Sequence, residues 1–329
     1  MGLSNIQFAN FEKSIRKIHI DKNSDYPMVT LGDGSYIVES KVSYGAYTNH
    51  ILIGKYSSIA HDVKFVIGVN HDYKNVTMYP FILRCNHSEI NGNQIIIGND
   101  VWIGQNCTLM GGIRIQDGAV IGAGSVVAND VPAYSIVVGN PARVVKYRFD
   151  EPLIRKLLKI KWWHWSSEKI IKNKCFMTDC DAFVNQFYKK DECIGDTELM
   201  SLKKDGYKVY GMIPDFGEER NVWEGIVRRF LEQCTSLDKV ALLLYIDASL
   251  DSDKFIEEIT SWLDEAGREA PAVVIQDYAD RLSYNHLNGL HAFITTREYA
   301  SFYGIDYAAE LSYQVLSGLD DWRFDSEEG

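Results

Sequence analysis

Among side chains that can take a proton or attack an acyl carbon near neutral pH, this sequence offers eight histidines and six cysteines. Imidazole is the group whose ordinary pKa lies nearest neutrality, so a histidine is the natural base for a hydroxyl that must become a nucleophile. Asn70 precedes His71, and Tyr79-Pro80-Phe81 follows it. His19, His50, His61, His87, His164, His286 and His291 sit in no comparable setting and read as surface or packing residues. The cysteines (Cys85, Cys107, Cys175, Cys180, Cys193 and Cys234) form no CxxC pair and read as reduced packing residues. Neither a GxGxxG nor a Walker A sequence occurs, so dinucleotide and ATP chemistry have no motif to rest on.

A proton-accepting histidine works only if a scaffold holds it beside a groove, and the scaffold is written as a repeat. From residue 97 an aliphatic residue recurs at every sixth position: Ile97, Ile103, Leu109, Ile115, Ile121 and Val127. Gly98, Gly104 and Gly122 follow three of these, and Val101, Cys107, Ile113, Ala119, Ser125 and Val131 hold the fifth place of each hexad. An earlier run in the same period reads Ile53-Gly54, Ile59-Ala60 and Phe65-Val66, with a looser stretch at Leu31-Gly32 and Ile37-Val38. Such fixed-period self-similarity means a solenoid whose repeats bury their apolar faces against one another. One hexad per flat face implies a three-sided prism, interrupted once between Asn70 and Asn93. His71 therefore falls where the regular hexads stop and a loop leaves the prism.

The totals limit the remaining possibilities. A chain of 329 residues exceeds what one core usually organises, which predicts two domains. No stretch approaches the ~20 apolar residues of a membrane span, and Met1 to Ile6 lack the apolar run of a signal peptide, so the expected location is cytoplasmic. A net charge of -11 without a dense Lys/Arg stripe argues against nucleic acid as a partner.

Three segments, IGKYSSIAHDVKFVIGVNHDYKNVTMYPF, IIIGNDVWIGQNCTLMGGIRIQDGAVIGAGSVVANDVPAYSIVVGNPARVVKYRFDE and LLKIKWWHWSSEKI, together resemble the xenobiotic acetyltransferase family, which includes chloramphenicol and streptogramin acetyltransferases. The resemblance covers roughly residues 30 to 172. It implies a left-handed parallel β-helix, a homotrimer, and acetyl-CoA as cosubstrate in the groove between neighbouring prisms. It places the catalytic base at His71 and the acceptor contacts at Tyr36, Asn70 and Tyr79. The coenzyme positions carried over are Gln105, Ala123, Ala128, Asn129, Arg143 and Lys146, with Trp102 near either the acceptor or the pantetheine end, or an outward aromatic of the trimer. Small residues such as Ala123 let the pantetheine arm lie on backbone, and Arg143 and Lys146 can pair with phosphates. Asn129 stands where a Lys is common in the family. Some hexapeptide prisms resembling γ-class carbonic anhydrases hold zinc through histidines. Gln105 and Met110 occupy the places of two such ligands, so no metal is expected. The antibiotic-modifying members tend to carry Tyr and an acidic residue after the early Gly hexad, where this chain reads Gly32-Asp33-Gly34-Ser35-Tyr36-Ile37-Val38, with Ile37 and Val38 offering an acceptor no hydrogen bond, and their loop matching Phe81 to Asn93 is longer.

The Lys161-Trp162-Trp163-His164-Trp165 segment follows a leucine-rich helix from Pro152, and the family context reads it as packing that helix on the prism. Beyond residue 185 the hexads give way to strand–helix alternation: strands at 207–212, 240–245, 272–275 and 292–296, helices from Asn221 and Ser252 and near Ala279 and Tyr299. That alternation predicts a small parallel α/β, Rossmann-like unit. EERNVWEGIVRRFLEQ and NHLNGLHAFITTREYASFYG faintly resemble the nucleotide-sugar-binding half of a two-lobed glycosyltransferase, though the ribose-gripping glutamate pair and the second lobe of such enzymes are not found. The expected organisation is an N-terminal segment (1–30), an acyltransferase β-helix (31–148), a helical segment packing on it (149–184) and a noncatalytic α/β module (185–329). The expected activity is acetyl-CoA-dependent O-acetylation of a saccharide hydroxyl, with an antibiotic acetyltransferase and a noncatalytic trimeric scaffold as alternatives.

Overall fold

The computed structural model describes residues 2–8, 16–18, 28–44, 49–68, 76–77, 92–189, 198–216, 221–279 and 281–324. They form two compact units. The first holds 2–8, 16–18, 28–44, 49–68 and 94–189, and the second holds 76–77, 92–93 and the described residues from 198 onward.

In the first unit the sixth-position aliphatics stack in three parallel rows. Leu31, Ile53, Ile97 and Ile115 pair in register across strands Val29–Leu31, His50–Ile53, Gln94–Ile97 and Arg114–Ile115. Ile37, Ile59, Ile103, Ile121 and Val137 do the same across Tyr36–Tyr44, Ser58–Ile67, Trp102–Ile103, Val120–Ile121 and Ser135–Gly139. The third row, Val42, Phe65, Leu109 and Val127, runs through the later halves of the two long strands and through Thr108–Met110 and Val126–Val127. Every one of these side chains is at most 2% exposed. Partners such as Ile97 and Ile115 lie 18 residues apart, three hexads to a coil, and this is a parallel β-helix. Ile53 and Ile97 are instead 44 residues apart, which exceeds one coil by 26 and marks the interruption that the repeat predicts.

A three-sided coil must turn sharply three times, and the buried turn groups need partners because each lost hydrogen bond there costs ~1–3 kcal/mol. At one corner Asp117 Oδ1 accepts from the backbone N–H and the side-chain amide of Asn99 at 2.7 and 2.8 Å, and Asn99 Oδ1 accepts from the Lys55 N–H at 2.8 Å. Ser57 Oγ donates to the Gly98 carbonyl and accepts from the Val101 N–H in the same ladder. Gly118 completes the turn at φ +69°, and a Cβ there would lie 2.6 Å from the ring of Tyr134.

Strand Ala142–Tyr147 pairs antiparallel with Ser135–Gly139 and so ends the parallel stack. Helix Glu151–Ile160 follows, its first turn capped by the Asp150 carboxylate accepting from the Leu153 N–H. With helix Cys180–Phe187 it buries Ile154, Leu157, Phe183 and Val184 against Ala133 and Tyr134 of the prism. Trp163 is fully buried, and the Trp162 ring lies 5.1 Å from Tyr56, so the tryptophan-rich segment packs the helices on the prism.

The second unit has a five-stranded parallel sheet in the order Ala272–Tyr278, Val240–Asp247, Lys208–Met212, Ala292–Thr295, Gln314–Ser317. Alternate residues of the central apolar run enter opposite clusters: Leu242, Leu244 and Ile246 pack with Trp223 and Phe230 on one face, and Ala241, Leu243 and Tyr245 with Leu287 and Phe293 on the other. Burial on both faces explains why this strand is apolar throughout rather than alternating. Two details depart from the sequence expectation. The helix expected near Ala279 is the single turn Tyr284–Leu287, because the preceding strand continues to Tyr278, and strand Gln314–Ser317 was not anticipated. Gly92 and Asn93 also belong to this unit, their N–H groups donating to Asp320 Oδ1 at 3.1 and 2.8 Å.

Two outcomes follow from this packing. Gly118→Ala combines a left-handed backbone with contact against a buried ring, each costing ~1 kcal/mol or more. Thermal denaturation should therefore lose several degrees, and an unchanged midpoint would refute the account of the corner. Asp215, 1% exposed, accepts from the Val222 and Trp223 N–H groups. Burial raises its carboxyl from 3.8 to about 6 despite those bonds, with the Glu298 charge adding to the rise. The folded state thus holds a proton that the unfolded chain has lost. Stability from this group is full below the unfolded pKa and declines as pH rises through about 6, by up to roughly 3 kcal/mol. Urea unfolding of the second unit's core should show that decline in the wild type and a flatter profile in Asp215→Asn.

Candidate functional site

The outer face of the second prism sheet collects most of the candidate coenzyme residues. Strand side chains alternate, so the inward row from Ile37 to Val137 leaves Tyr36, Ser58, Trp102, Val120 and Ile136 facing outward in one row. Lys146, paired with Ile136, extends that row onto the antiparallel strand. Tyr36 and Trp102 are two strands apart, ~10 Å at ordinary strand spacing. Trp102 is 58% exposed, and an indole held in water at the centre of a rigid sheet is a contact surface.

The neighbouring row reads Gly104, Gly122, Val138 and Arg143. Gly104 N donates to the Ile121 carbonyl, Gly122 N to the Val137 carbonyl, and Arg143 pairs with Val138. A Cβ at Gly104 would meet the Ala123 N–H at 2.7 Å, and one at Gly122 would meet Val138 Cγ1 at 2.6 Å, so coil stacking itself demands these glycines. They also keep the surface low beside Trp102. Gln105 and Ala123 stand one coil apart at the adjoining corner, where Gly124 N donates to the Gln105 carbonyl at 2.8 Å, and both are exposed.

Trp102, Gln105, Ala123, Arg143 and Lys146 are thus brought to one face and its corner, whereas Ala128 and Asn129 are not. Each hexad advances the chain by one face, so residues a hexad beyond Ala123 fall at the next corner, after strand Val126–Val127. Both are exposed there. His71, Asn70 and Tyr79 lie outside the described residues. Exposed Val144, Val145 and Tyr147 on the antiparallel strand adjoin the coenzyme candidates and were not singled out from sequence, where short apolar runs read as core.

Several other readings are sharpened. Ile37 is fully buried in the prism, so its lack of hydrogen-bonding groups says nothing about an acceptor; only Val38 of that pair faces outward. His50 is buried, with its ring nitrogens 3.0 Å from Thr30 Oγ1 and from the Gln94 side-chain amide, which makes it a packing residue. Cys107 is buried with its thiol donating to the Gly122 carbonyl, and burial pushes its pKa up, away from nucleophile chemistry. Cys175 is exposed, which corrects its reading as a packing residue: it lies on a short helical turn with no buried side chain. Among the described residues no cluster of three or more His, Cys, Asp or Glu side chains could hold a metal, and no helix is long and apolar enough to cross a membrane.

Residues 94–129 match the bacterial transferase hexapeptide (six repeats) family. A probable macrolide acetyltransferase of Lysinibacillus sphaericus is 42% identical over 154 residues, which is 43% of this chain and 86% of the relative. A chloramphenicol acetyltransferase of Agrobacterium fabrum is 32% identical over 209 residues, 55% of this chain and 97% of the relative. A maltose O-acetyltransferase structure from Clostridium difficile 630 is 31% identical over 37% of this chain and 60% of its own, with a TM-score of 0.28, too low for superposition to carry an argument. Two curated acetyltransferases matched over 86% and 97% of their length, together with the hexapeptide match at 94–129, establish that the chain belongs to the xenobiotic-acetyltransferase family of hexapeptide-repeat acyltransferases.

Proposed function

We propose that the protein transfers an acetyl group from acetyl-CoA to a hydroxyl of a saccharide, as a cytoplasmic homotrimer of left-handed prisms engaged in polysaccharide modification. The observation that carries the coenzyme part is the joining of Trp102, Gln105, Ala123, Arg143 and Lys146 on one exposed face and corner, beside a row kept low by Gly104 and Gly122. The low row suits the pantetheine arm, and Arg143 and Lys146, both exposed on the antiparallel strand, suit its phosphates. In a trimer, Ala128 and Asn129 of a neighbouring prism would complete the groove that one chain leaves divided.

When bound, the coenzyme supplies the thioester carbonyl carbon. His71 takes the proton of the acceptor hydroxyl as its oxygen bonds to that carbon, and returns it to the departing sulfur as the C–S bond breaks. Tyr36, Asn70 and Tyr79 would orient the acceptor. The chemistry belongs to residues 31–148, braced by 149–184, and the 185–329 module serves binding. A saccharide acceptor rests on the fused module's glycosyltransferase-like segments, EERNVWEGIVRRFLEQ and NHLNGLHAFITTREYASFYG. The names of the two curated relatives favour the second reading, an antibiotic acceptor.

Release of CoA thiol measured against sugars, glycans, chloramphenicol, streptogramins and macrolides separates the two. Turnover with a glycan alone supports the saccharide, turnover with an antibiotic alone replaces it, and silence across the panel favours an acceptor outside it or a noncatalytic scaffold. His71→Ala should cut turnover ~10²–10⁴-fold while retaining coenzyme binding; a variant keeping a tenth of wild-type turnover would remove His71 as the base. Arg143→Ala combined with Lys146→Ala should raise the KM for acetyl-CoA roughly tenfold with kcat little changed. An unaltered KM would move the phosphates elsewhere.

A further inference from the structure

A cavity of about 280 Å³ lies between one corner of the prism and its helical extension. Its walls combine apolar groups, among them Phe149, Leu157, Trp162 and Phe183, with the polar side chains of Asp100, Tyr134 and Arg148, the first and last of which form an ion pair. Arg148 Nη1 donates to Asp100 Oδ2 at 3.0 Å and to the Gly118 carbonyl at 2.8 Å. The guanidinium is fixed between the rings of Tyr134 and Phe149, at 5.2 and 5.4 Å. The pair is single-pronged: among the described residues no hydrogen bond reaches Asp100 Oδ1, Arg148 Nη2 or Arg148 Nε. The two side chains are 29% and 30% exposed, so the ion pair remains open to solvent.

An ion pair that uses one oxygen and one terminal nitrogen leaves an acceptor and donors side by side, already oriented. The complementary group has a donor and an acceptor on one planar unit and no net charge, because the site's own charges cancel. We propose that this cavity binds a small neutral molecule with an aromatic or aliphatic body and a terminal carboxamide. The body lies among Leu157, Trp162 and Phe183, the carbonyl oxygen accepts from Arg148, and the amide N–H donates to Asp100 Oδ1. The volume falls just below the ~300–1,000 Å³ usual for ligand pockets, which limits the body to about one ring. Occupancy would bear on the coenzyme face through the chain itself, since Arg148 directly follows the strand that carries Arg143 and Lys146.

Benzamide is the probe, titrated into the full chain by ligand-observed NMR, with benzoate and benzamidine as charged controls that lack the donor or the acceptor. Saturable binding of benzamide, at least fivefold tighter than either control, is expected. Asp100→Ala should weaken it ~10-fold or more, as befits a hydrogen bond to a charged group, and Leu157→Trp, which fills the cavity without touching the ion pair, should abolish it. Trp102→Ala should leave it unchanged, which separates this cavity from the acyl-transfer face. No saturable binding, equal affinity for the three probes, or retention in Leu157→Trp would overturn the proposal, and circular dichroism of each variant confirms that the comparison is between folded proteins.

Discussion

The structure of the first unit depends on one constraint: an aliphatic side chain of each hexad can be buried only by the equivalent side chain of the next coil. At roughly 25 cal/mol per Å² of apolar surface, each fully buried Ile or Leu contributes ~1.5–3 kcal/mol, and the rows from Leu31 to Ile115 and from Ile37 to Val137 place one such residue at every level. The outward positions are then free to carry function. Trp102 is exposed because Ile103 beside it is buried, and the same alternation brings Tyr36 and Lys146 into its row. A surface built this way is rigid, as catalysis by positioning requires.

The corners set the second condition. Three turns per coil would strand backbone groups in the interior, and the Asp117–Asn99–Lys55 and Ser57–Gly98 ladders satisfy them one coil at a time. The corner that carries these ladders also carries Asp100, Gly118 and Tyr134, on which the helical extension packs. The tryptophan-rich segment therefore belongs to the prism's own stability: Trp162 meets Tyr56 of an early coil, and Trp163 is sealed in the interface.

Most of the prism was legible in the sequence because its period is set by geometry that every coil repeats. Ile97 to Val127 announce themselves at six-residue spacing, and the excess between Ile53 and Ile97 locates the excursion. Roles that depend on which face a residue occupies were less legible. Ile37 and Val38 look alike in sequence, yet one is core and the other surface. Ala128 and Asn129 join Ala123 in a linear list, but a hexad of separation carries them round a corner. In the second unit, strand Gln314–Ser317 escaped notice because it is short and at the sheet's edge, where a few apolar residues suffice. Cys175 and Cys180, five residues apart, differ in exposure because only the second begins a helix that buries Phe183 and Val184.

The exposed strand Ala142–Tyr147 poses a problem that the proposed trimer would resolve. It closes the second sheet antiparallel, so among the described residues no further strand pairs with its far side, and Val144, Val145 and Tyr147 stand exposed along it with Val138 and Trp102 on the same sheet. A sheet edge lined with valines invites pairing with any other chain. Proteins that keep such edges usually cover or close them, and a cyclic assembly covers the same patch on every copy at once. Arg143 and Lys146 on that strand add positive charge where two neighbouring copies would otherwise meet through apolar contact alone. Like charges brought together there would repel unless an anion lay between them, which makes a phosphate-bearing coenzyme a natural component of the interface. On this argument the strand that ends the prism would serve assembly and coenzyme binding together, and the valines and the cations would be two parts of one surface.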